Sequence, residues 1–382
     1  TRLDDLAVQL QRPEGMLSLQ GEGLEVDLSS VAVTGGADAA AAVSGSLTAQ
    51  GLDLERSGDS PLSAVLADAR SELRDLQIAP LTPAAEIAGA ATTTLSGLRL
   101  ESGQGAEAIT LALGSLENEI DGLRASGLDG EQPQLSLSGR TRLNTLSTRL
   151  PFPDGPTVEA SLDSLDAPLA ELALADDVLR VAGALEAAGI AARSEGDAPQ
   201  SLDLANLSVS GFSGDSAGAL AIERLALGVL NAKLNLPPRA RQGVETAAAN
   251  NAAAASPAEA AGGDGGALLV LDRPFRLGEF SLAAGSQIEV VDRSVQPPLP
   301  AKLRLDELRF GPIDSAAPET RTDIALALAA NETSKIRIEG WAAPLKTALD
   351  FQLTSQVDGL PLPYFSPYAA RATGVNIESG VL

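Results

Sequence analysis

Short stretches in which apolar and polar residues alternate recur along the chain. Examples are Leu17-Ser18-Leu19, Leu24-Glu25-Val26-Asp27-Leu28, Leu135-Ser136-Leu137, Ile324-Ala325-Leu326-Ala327-Leu328, Ile336-Arg337-Ile338 and Leu349-Asp350-Phe351-Gln352-Leu353. Gly, Pro, Asp and Ser separate them. A period of two between turn residues predicts half-buried antiparallel strands, apolar on one face and polar on the other. The fold class expected is mainly β, built from repeated short strands with few short helices.

Helical candidates are scarce. Residues 61–74 place Leu62, Val65, Leu66, Ala69 and Leu73 at roughly helical spacing, with Pro61 where a helix could begin. Residues 168–188 are rich in Ala and Leu and read equally as helix or strand. Two weak internal echoes stand out. The pattern L-x-(D/N/E)-L-x-apolar occurs at Leu3–Val8, Leu73–Ile78, Leu204–Val209 and Leu305–Phe310. A G-x-L with a second Gly six residues after the first occurs at Gly15/Gly21, Gly45/Gly51 and Gly183/Gly189. The acidic or amide residue of the first pattern suits a turn. The irregular spacing of the copies argues against a fixed-period solenoid and for a meander.

Residues 237–267 are Ala-, Gly-, Asn- and Pro-rich, almost without large apolar side chains. Such a segment buries too little surface to offset its ordering entropy and reads as a flexible linker. It divides the chain into 1–236 and 268–382; the second part holds five of the seven Phe, both Tyr and the only Trp.

Composition narrows the function. The 51 acidic and 27 basic residues give a net charge of −24, which disfavours nucleic acid and anionic bilayer surfaces. Acidic faces also keep sheet edges apart and a β protein soluble. Aromatic residues make up only 3%, so Leu, Ala and Val supply the packing and the layers should be thin. There is no long uncharged apolar run and no leader, so a membrane anchor is expected outside these residues.

Histidine and cysteine are both absent. The common zinc, haem and non-haem iron ligand sets and imidazole base catalysis are therefore not available within this chain. No cofactor or metal is expected, and no enzymatic activity. Gly214-Asp215-Ser216-Ala217-Gly218 matches G-x-S-x-G, but the serine lacks a histidine base and its flanks read as a turn. The adjacent pairs Asp4-Asp5 and Asp176-Asp177 point to opposite faces if they lie on strands and form no dyad.

Residues 274–382 carry a sharper signal. A strand ends in Val291-Asp292-Arg293-Ser294 and runs into Pro297-Pro298, and a Leu303–Phe310 strand follows. Gly340 and Pro344 bracket a turn after Ile336–Glu339, and a closing run leads from Leu360 through Pro367-Tyr368 to Gly374, Ile377, Gly380 and Leu382. In these features the segment resembles the AsmA-like family of Gram-negative envelope proteins, in particular its large relatives. The resemblance covers a little under a third of the chain; residues 1–236 share only general β character. It implies a fragment of a longer protein at the periplasmic face of the envelope, anchored to the inner membrane by a segment not present here. It also implies a long curved sheet whose concave groove shields the acyl chains of a phospholipid or another envelope lipid. Leu303, Leu305, Ile324, Leu326, Leu328, Ile336, Ile338, Leu349, Phe351 and Leu353 are the expected groove lining; the same residues would also line a dry sandwich core. Asp292-Arg293 reads as a strand-end ion pair, and Tyr364, Phe365 and Tyr368 as a plug at one end of the local core. The alternative function is a scaffold that helps assemble outer-membrane proteins by pairing strand edges with envelope partners.

Overall fold

A computed structural model describes residues 1–12, 15–36, 39–58, 61–80, 85–127, 133–152, 155–196, 198–236, 273–295, 297–331, 333–348 and 350–382. The expected linker, 237–267, and Leu349 lie outside the described residues. The fold is mainly β, as the alternation predicts. Among the described residues are nineteen strands, mostly paired antiparallel, with two 3-10 turns and one short helix. The chain divides into two compact units, Thr1–Gly196 with Ala205–Ile222, and Asp197–Leu204 with Glu223–Leu382.

The first unit is a meander of long strands. They are β1 (Arg2–Arg12), β2 (Gly15–Thr34), β3 (Ala40–Arg56), β4 (Leu62–Ala79), β5 (Glu86–Ser102), β6 (Ile109–Ser126), β7 (Gln134–Leu150), β8 (Val158–Ala175), β9 (Val178–Ser194) and most of β10 (Gln200–Asp215). Each of β1 to β8 pairs antiparallel with the next strand. From β2 on the strands run 16 to 20 residues, much longer than the short alternating stretches suggest. Two lines of irregularity cross them and break each strand's alternation into short pieces.

The first line is made of left-handed residues on alternate strands: Asp5 (φ 55), Gly51 (φ 58), Gly97 (φ 66), Thr145 (φ 57) and Gly189 (φ 64). They follow one another at 46, 46, 48 and 44 residues (5 to 51, 51 to 97, 97 to 145, 145 to 189), one per hairpin. The register is unbroken across each of them, as at Gly51 between the pairs Gln50–Asp68 and Leu52–Leu66, so both paired strands return their apolar phase to the same face at that level. The flanking apolar residues therefore stand three apart: Leu3 and Leu6, Ala49 and Leu52, Leu95 and Leu98, Leu143 and Leu146, Ala187 and Ile190. At Gly189 a Cβ would lie 2.0 Å from the Asp163 carboxylate, so glycine is required there for space as well as for φ.

In the second line one backbone crowds another. A Cβ on Gly45, Gly139 or Gly183 would lie 2.5, 2.1 or 2.5 Å from the carbonyl oxygen of Asp27, Glu119 or Pro168. The strand register shifts beside each of these glycines. Such bulges bend and twist the strands that carry them. Between the lines lies a panel of five residues, for example 46–50 on β3, about 17 Å long.

Apolar ladders run straight across this sheet. One passes from Leu24 through Ala49, Ala69, Leu95, Leu116, Leu143 and Leu165 to Ala187. A second joins Leu98, Leu113, Leu146 and Leu162. The opposite phase carries Glu25, Thr48, Arg70, Thr94, Glu117, Arg142, Asp166 and Glu186 in register. There Arg142 pairs with Glu117 at 3.1 Å and Glu119 at 3.2 Å, and Arg140 with Asp166. The hydrogen bond from Arg140 holds the Asp166 carboxyl below its usual range.

These features correct one expectation and decide a second that the sequence left open between helix and strand. Residues 61–74 are not helical: from Leu62 onward they lie in strand β4, and the three-residue step from Leu66 to Ala69 across the left-handed line imitates helical spacing. Residues 168–188 are the end of β8, a two-residue turn and the start of β9. Asp176 (φ 51) and Asp177 (φ 61) form that turn, with Ala175 and Val178 paired on either side. Two left-handed positions are the type I′ geometry that matches strand twist. We expect Asp177→Gly to raise stability by about 0.5–1 kcal/mol, read from the urea midpoint, because glycine carries no Cβ penalty at positive φ; a lowered midpoint would contradict the turn assignment.

The second unit contains the first residues of β10, most of β11 (Leu220–Leu227), then β12 (Leu230–Leu236), β13 (Phe275–Leu282), β14 (Gln287–Asp292), β15 (Leu299–Gly311), β16 (Ile313–Asp314), β17 (Thr322–Ala330), β18 (Ser334–Ala343) and β19 (Asp350–Asp358). Strands β15, β17, β18 and β19 pair antiparallel in that order, β14 pairs with β15, and β12 with β14 is a parallel pair. A 3-10 turn at Leu362–Phe365 leads into helix α1 (Ser366–Thr373), capped by left-handed Gly374. Gly340 does not bracket a turn. It lies within β18 at φ 147, and a Cβ would stand 2.0 Å from the Gln352 carbonyl oxygen.

Candidate functional site

The nine described lining residues expected from the sequence lie on one face of the second unit. Leu305, Leu328, Ile336 and Val357 are in register across β15, β17, β18 and β19. Beside them run Leu308, Leu326 and Ile338, then Phe310, Ile324, Gly340 and Leu353. Leu303 stands opposite Ala330, and Phe351 opposite Ala342. The alternation on β15 survives a bulge between Leu305 and Glu307, which puts Leu308 and Phe310 on the face of Leu303 and Leu305. Sequence reasoning missed Leu308, Phe310 and Val357. The first two follow that extra residue, although the L-x-E-L echo at Leu305–Phe310 marks the place.

Phe280 stacks on Phe310, ring centroids 4.6 Å apart, and widens the apolar surface. The reverse face is charged at its flanks: Arg304, Glu307 and Arg309 on β15, Lys335, Arg337 and Glu339 on β18. Between them Ala325, Ala327 and Ala329 form the floor of β17, and the long side chains bury Ala327 and Ala329. A cleft of about 470 Å³ on this reverse side is lined by Glu279, Glu307, Arg309, Asp323 and Glu339.

Burial separates the two lining alternatives. A dry sandwich core excludes water from its large side chains at interior packing density. Here Leu303, Leu305, Ile324, Leu326, Leu328, Ile336 and Ile338 are only half-buried, while Phe351 is 55% and Leu353 42% exposed. Among the described residues ten of the fourteen buried apolar side chains are alanine; the larger ones are Leu113, Leu277, Val295 and Ile313. The first unit repeats the pattern, since its leucine ladders are half-buried apart from Leu113 at 8%. Both units therefore present a broad apolar face on which large side chains remain partly open.

The remaining sequence candidates have structural occupations. Ser216 lies in the turn after β10, where its hydroxyl accepts the Leu179 N–H at 3.1 Å and its own N–H bonds the Leu179 carbonyl. Asp5 is a left-handed residue within β1, and Asp176 with Asp177 is a hairpin turn. Asp292 is buried; it accepts the Ser294 N–H at 2.7 Å and the Tyr368 hydroxyl at 2.6 Å, tying α1 to the end of β14. Tyr364 and Phe365 meet edge to face at 6.0 Å beside it. Among the described residues no group of three or more acidic side chains is placed to hold a metal ion, and no helix is long and apolar enough to cross a membrane.

The hydrogen bond to Asp292, helped by burial and by the Asp292 charge, pushes the Tyr368 phenol up to about 12. Because the folded value lies above the unfolded one, this stabilisation is complete below about pH 10 and is lost as pH rises toward 12. A hydrogen bond to a charged group contributes about 1.5–3 kcal/mol, and the partly exposed ring reduces this to about 1 kcal/mol. Tyr368→Phe should lower stability by that amount at pH 7, remove a phenol titration near pH 12 from the ultraviolet absorbance, and bring no further loss at high pH; an unchanged titration curve would contradict the assignment.

Comparison with protein-family models, with curated proteins and with solved structures finds no match for this chain.

Proposed function

We propose that this chain is a non-enzymatic segment of an AsmA-like envelope protein that shields lipid acyl chains on its apolar β face during transport between the inner and outer membranes. The observation that carries the reading is the burial pattern. Aligned ladders of Leu, Ile and Phe share one face in each unit, and they stay half-open instead of closing into a dry core. An apolar sheet face needs a cover. Alkyl chains supply one without directional chemistry, which suits a chain lacking His and Cys.

Magnitudes agree. Moving a two-tailed lipid through water exposes about 30 methylenes at ~0.8 kcal/mol each, on the order of 24 kcal/mol. The panel between the two bend lines, about 17 Å, is close to half of a ~30 Å hydrocarbon core, the length of one tail. The ladders extend across successive strands, so a tail displaced sideways meets the same surface again.

The test is mass spectrometry of lipids extracted from the purified chain, with an unrelated soluble protein carried through the same detergent-free preparation. The proposal expects phospholipid or another envelope lipid at a stoichiometric level. A folded chain free of lipid would overturn it and favour the scaffold that pairs strand edges with outer-membrane protein partners.

A further inference from the structure

We propose that Ser71, Thr93, Asn118 and Thr141 form a subsite for the acyl ester carbonyls of the bound lipid, an assignment that rests on the lipid-shielding reading above. These four residues occupy one register line across β4, β5, β6 and β7. They belong to the apolar face. The line continues into Leu47 and Val26 at one end and Ala167 at the other. On one side it borders the ladder of Ala69, Leu95, Leu116 and Leu143, and on the other Leu73, Ala91, Ile120 and Gly139. Four adjacent polar residues thus interrupt an otherwise apolar panel, between the crowded glycine line and the left-handed line.

Cross-strand pairing explains only part of this line. The Ser71 and Thr93 hydroxyls share a hydrogen bond of 3.1 Å, and the Thr141 hydroxyl donates to the Asn118 side-chain oxygen at 3.0 Å. Two hydroxyls joined by one bond leave one O–H over, and an Asn that accepts through oxygen keeps both N–H donors of its amide. The line therefore presents a surplus of donors to whatever covers the face. A purely alkyl cover would strand them without hydrogen-bond partners.

The chemistry of the acceptor follows from the charges nearby. Arg70, Arg140 and Arg142 point to the opposite face and engage Glu72, Asp166, Glu117 and Glu119 there. The line itself is uncharged. Neutral donors without a cation suit a neutral carbonyl oxygen better than a phosphate, whose recognition relies on Arg or Lys. Three strand spacings span about 14 Å, enough for both ester groups of a diacyl lipid to meet the line while the tails rest on the leucine ladder beside it.

The experiment uses the full chain and two probes, dioleoyl phosphatidylethanolamine and its di-ether analogue, offered as an equimolar mixture and read by mass spectrometry of the bound fraction. The analogue keeps headgroup and tails and lacks the carbonyls. The expected result is a preference of about fivefold for the diester, the worth of roughly one net hydrogen bond. In the variant Ser71→Ala/Thr93→Val/Asn118→Leu/Thr141→Val the preference disappears and total lipid is retained. Should that variant fail to fold, Asn118→Leu alone reports, through a reduced preference. Equal uptake of both probes by the unaltered chain overturns the subsite and leaves the lipid reading standing; uptake of neither overturns the lipid reading itself.

Discussion

Gly139→Val is expected to destabilise the first unit by about 3 kcal/mol or more. A Cβ at this position would stand 2.1 Å from the Glu119 carbonyl oxygen and 3.1 Å from its carbon. Both are backbone atoms of β6, which cannot rotate away as a side chain would. Relief requires the β6–β7 register to open where the ladder residues Ile120, Gly139 and Leu169 meet. Overpacking alone costs about 1–3 kcal/mol, and ladder hydrogen bonds lost at the same place add to it. Gly122→Ala on β6 is the control. Its Cβ would meet only the Ser138 hydroxyl, at 3.4 Å, so a change within about 1 kcal/mol is expected. Equilibrium urea unfolding of the two variants checks the pair. Equal midpoints would show that the glycine line is not a close backbone approach.

The second large effect separates folding from binding. Phe351 and Leu353 are exposed on β19, at the open side of the candidate face. Substitution of exposed residues ordinarily changes stability by no more than about 0.5 kcal/mol. Phe351→Asp with Leu353→Asp should therefore fold with a urea midpoint close to that of the parent chain. Lipid recovery should nevertheless fall by about tenfold or more, because two carboxylates would have to lose water beneath the acyl chains. A variant that retains its lipid would place the bound tails elsewhere, and one that unfolds would show that these two side chains hold the sheet together.

Much of the fold was legible in the sequence, and the reasons for the misses are local. Alternation identified the strands and their apolar phase, including nine described residues of one face. Strand length was hidden, because each long strand is interrupted where an extra residue resets the period; Leu66 to Ala69 even imitated a helix. The near-regular spacing of the left-handed line was hidden as well. Its residues are Asp5, Gly51, Gly97, Thr145 and Gly189, so glycine holds only three of the five places and no single letter marks the line throughout. Two of the four L-x-(D/N/E)-L-x-apolar echoes, at Leu3–Val8 and Leu73–Ile78, carry Asp5 and Asp75 as left-handed residues inside strands rather than in turns between them. Two of the three glycine echoes, Gly45/Gly51 and Gly183/Gly189, join the crowded line to the left-handed line within one strand. The Ser71–Thr141 line left no trace in sequence, since its members stand on four strands and only the register brings them together.

The most direct test of the apolar face is photo-crosslinking in cells with benzoylphenylalanine placed at Phe351 and, separately, at Arg337. Arg337 lies on β18 with its side chain on the charged face. Lipid attached at position 351 and absent at 337 is the result predicted. Lipid at both positions alike, or at neither, would contradict an acyl-shielding face.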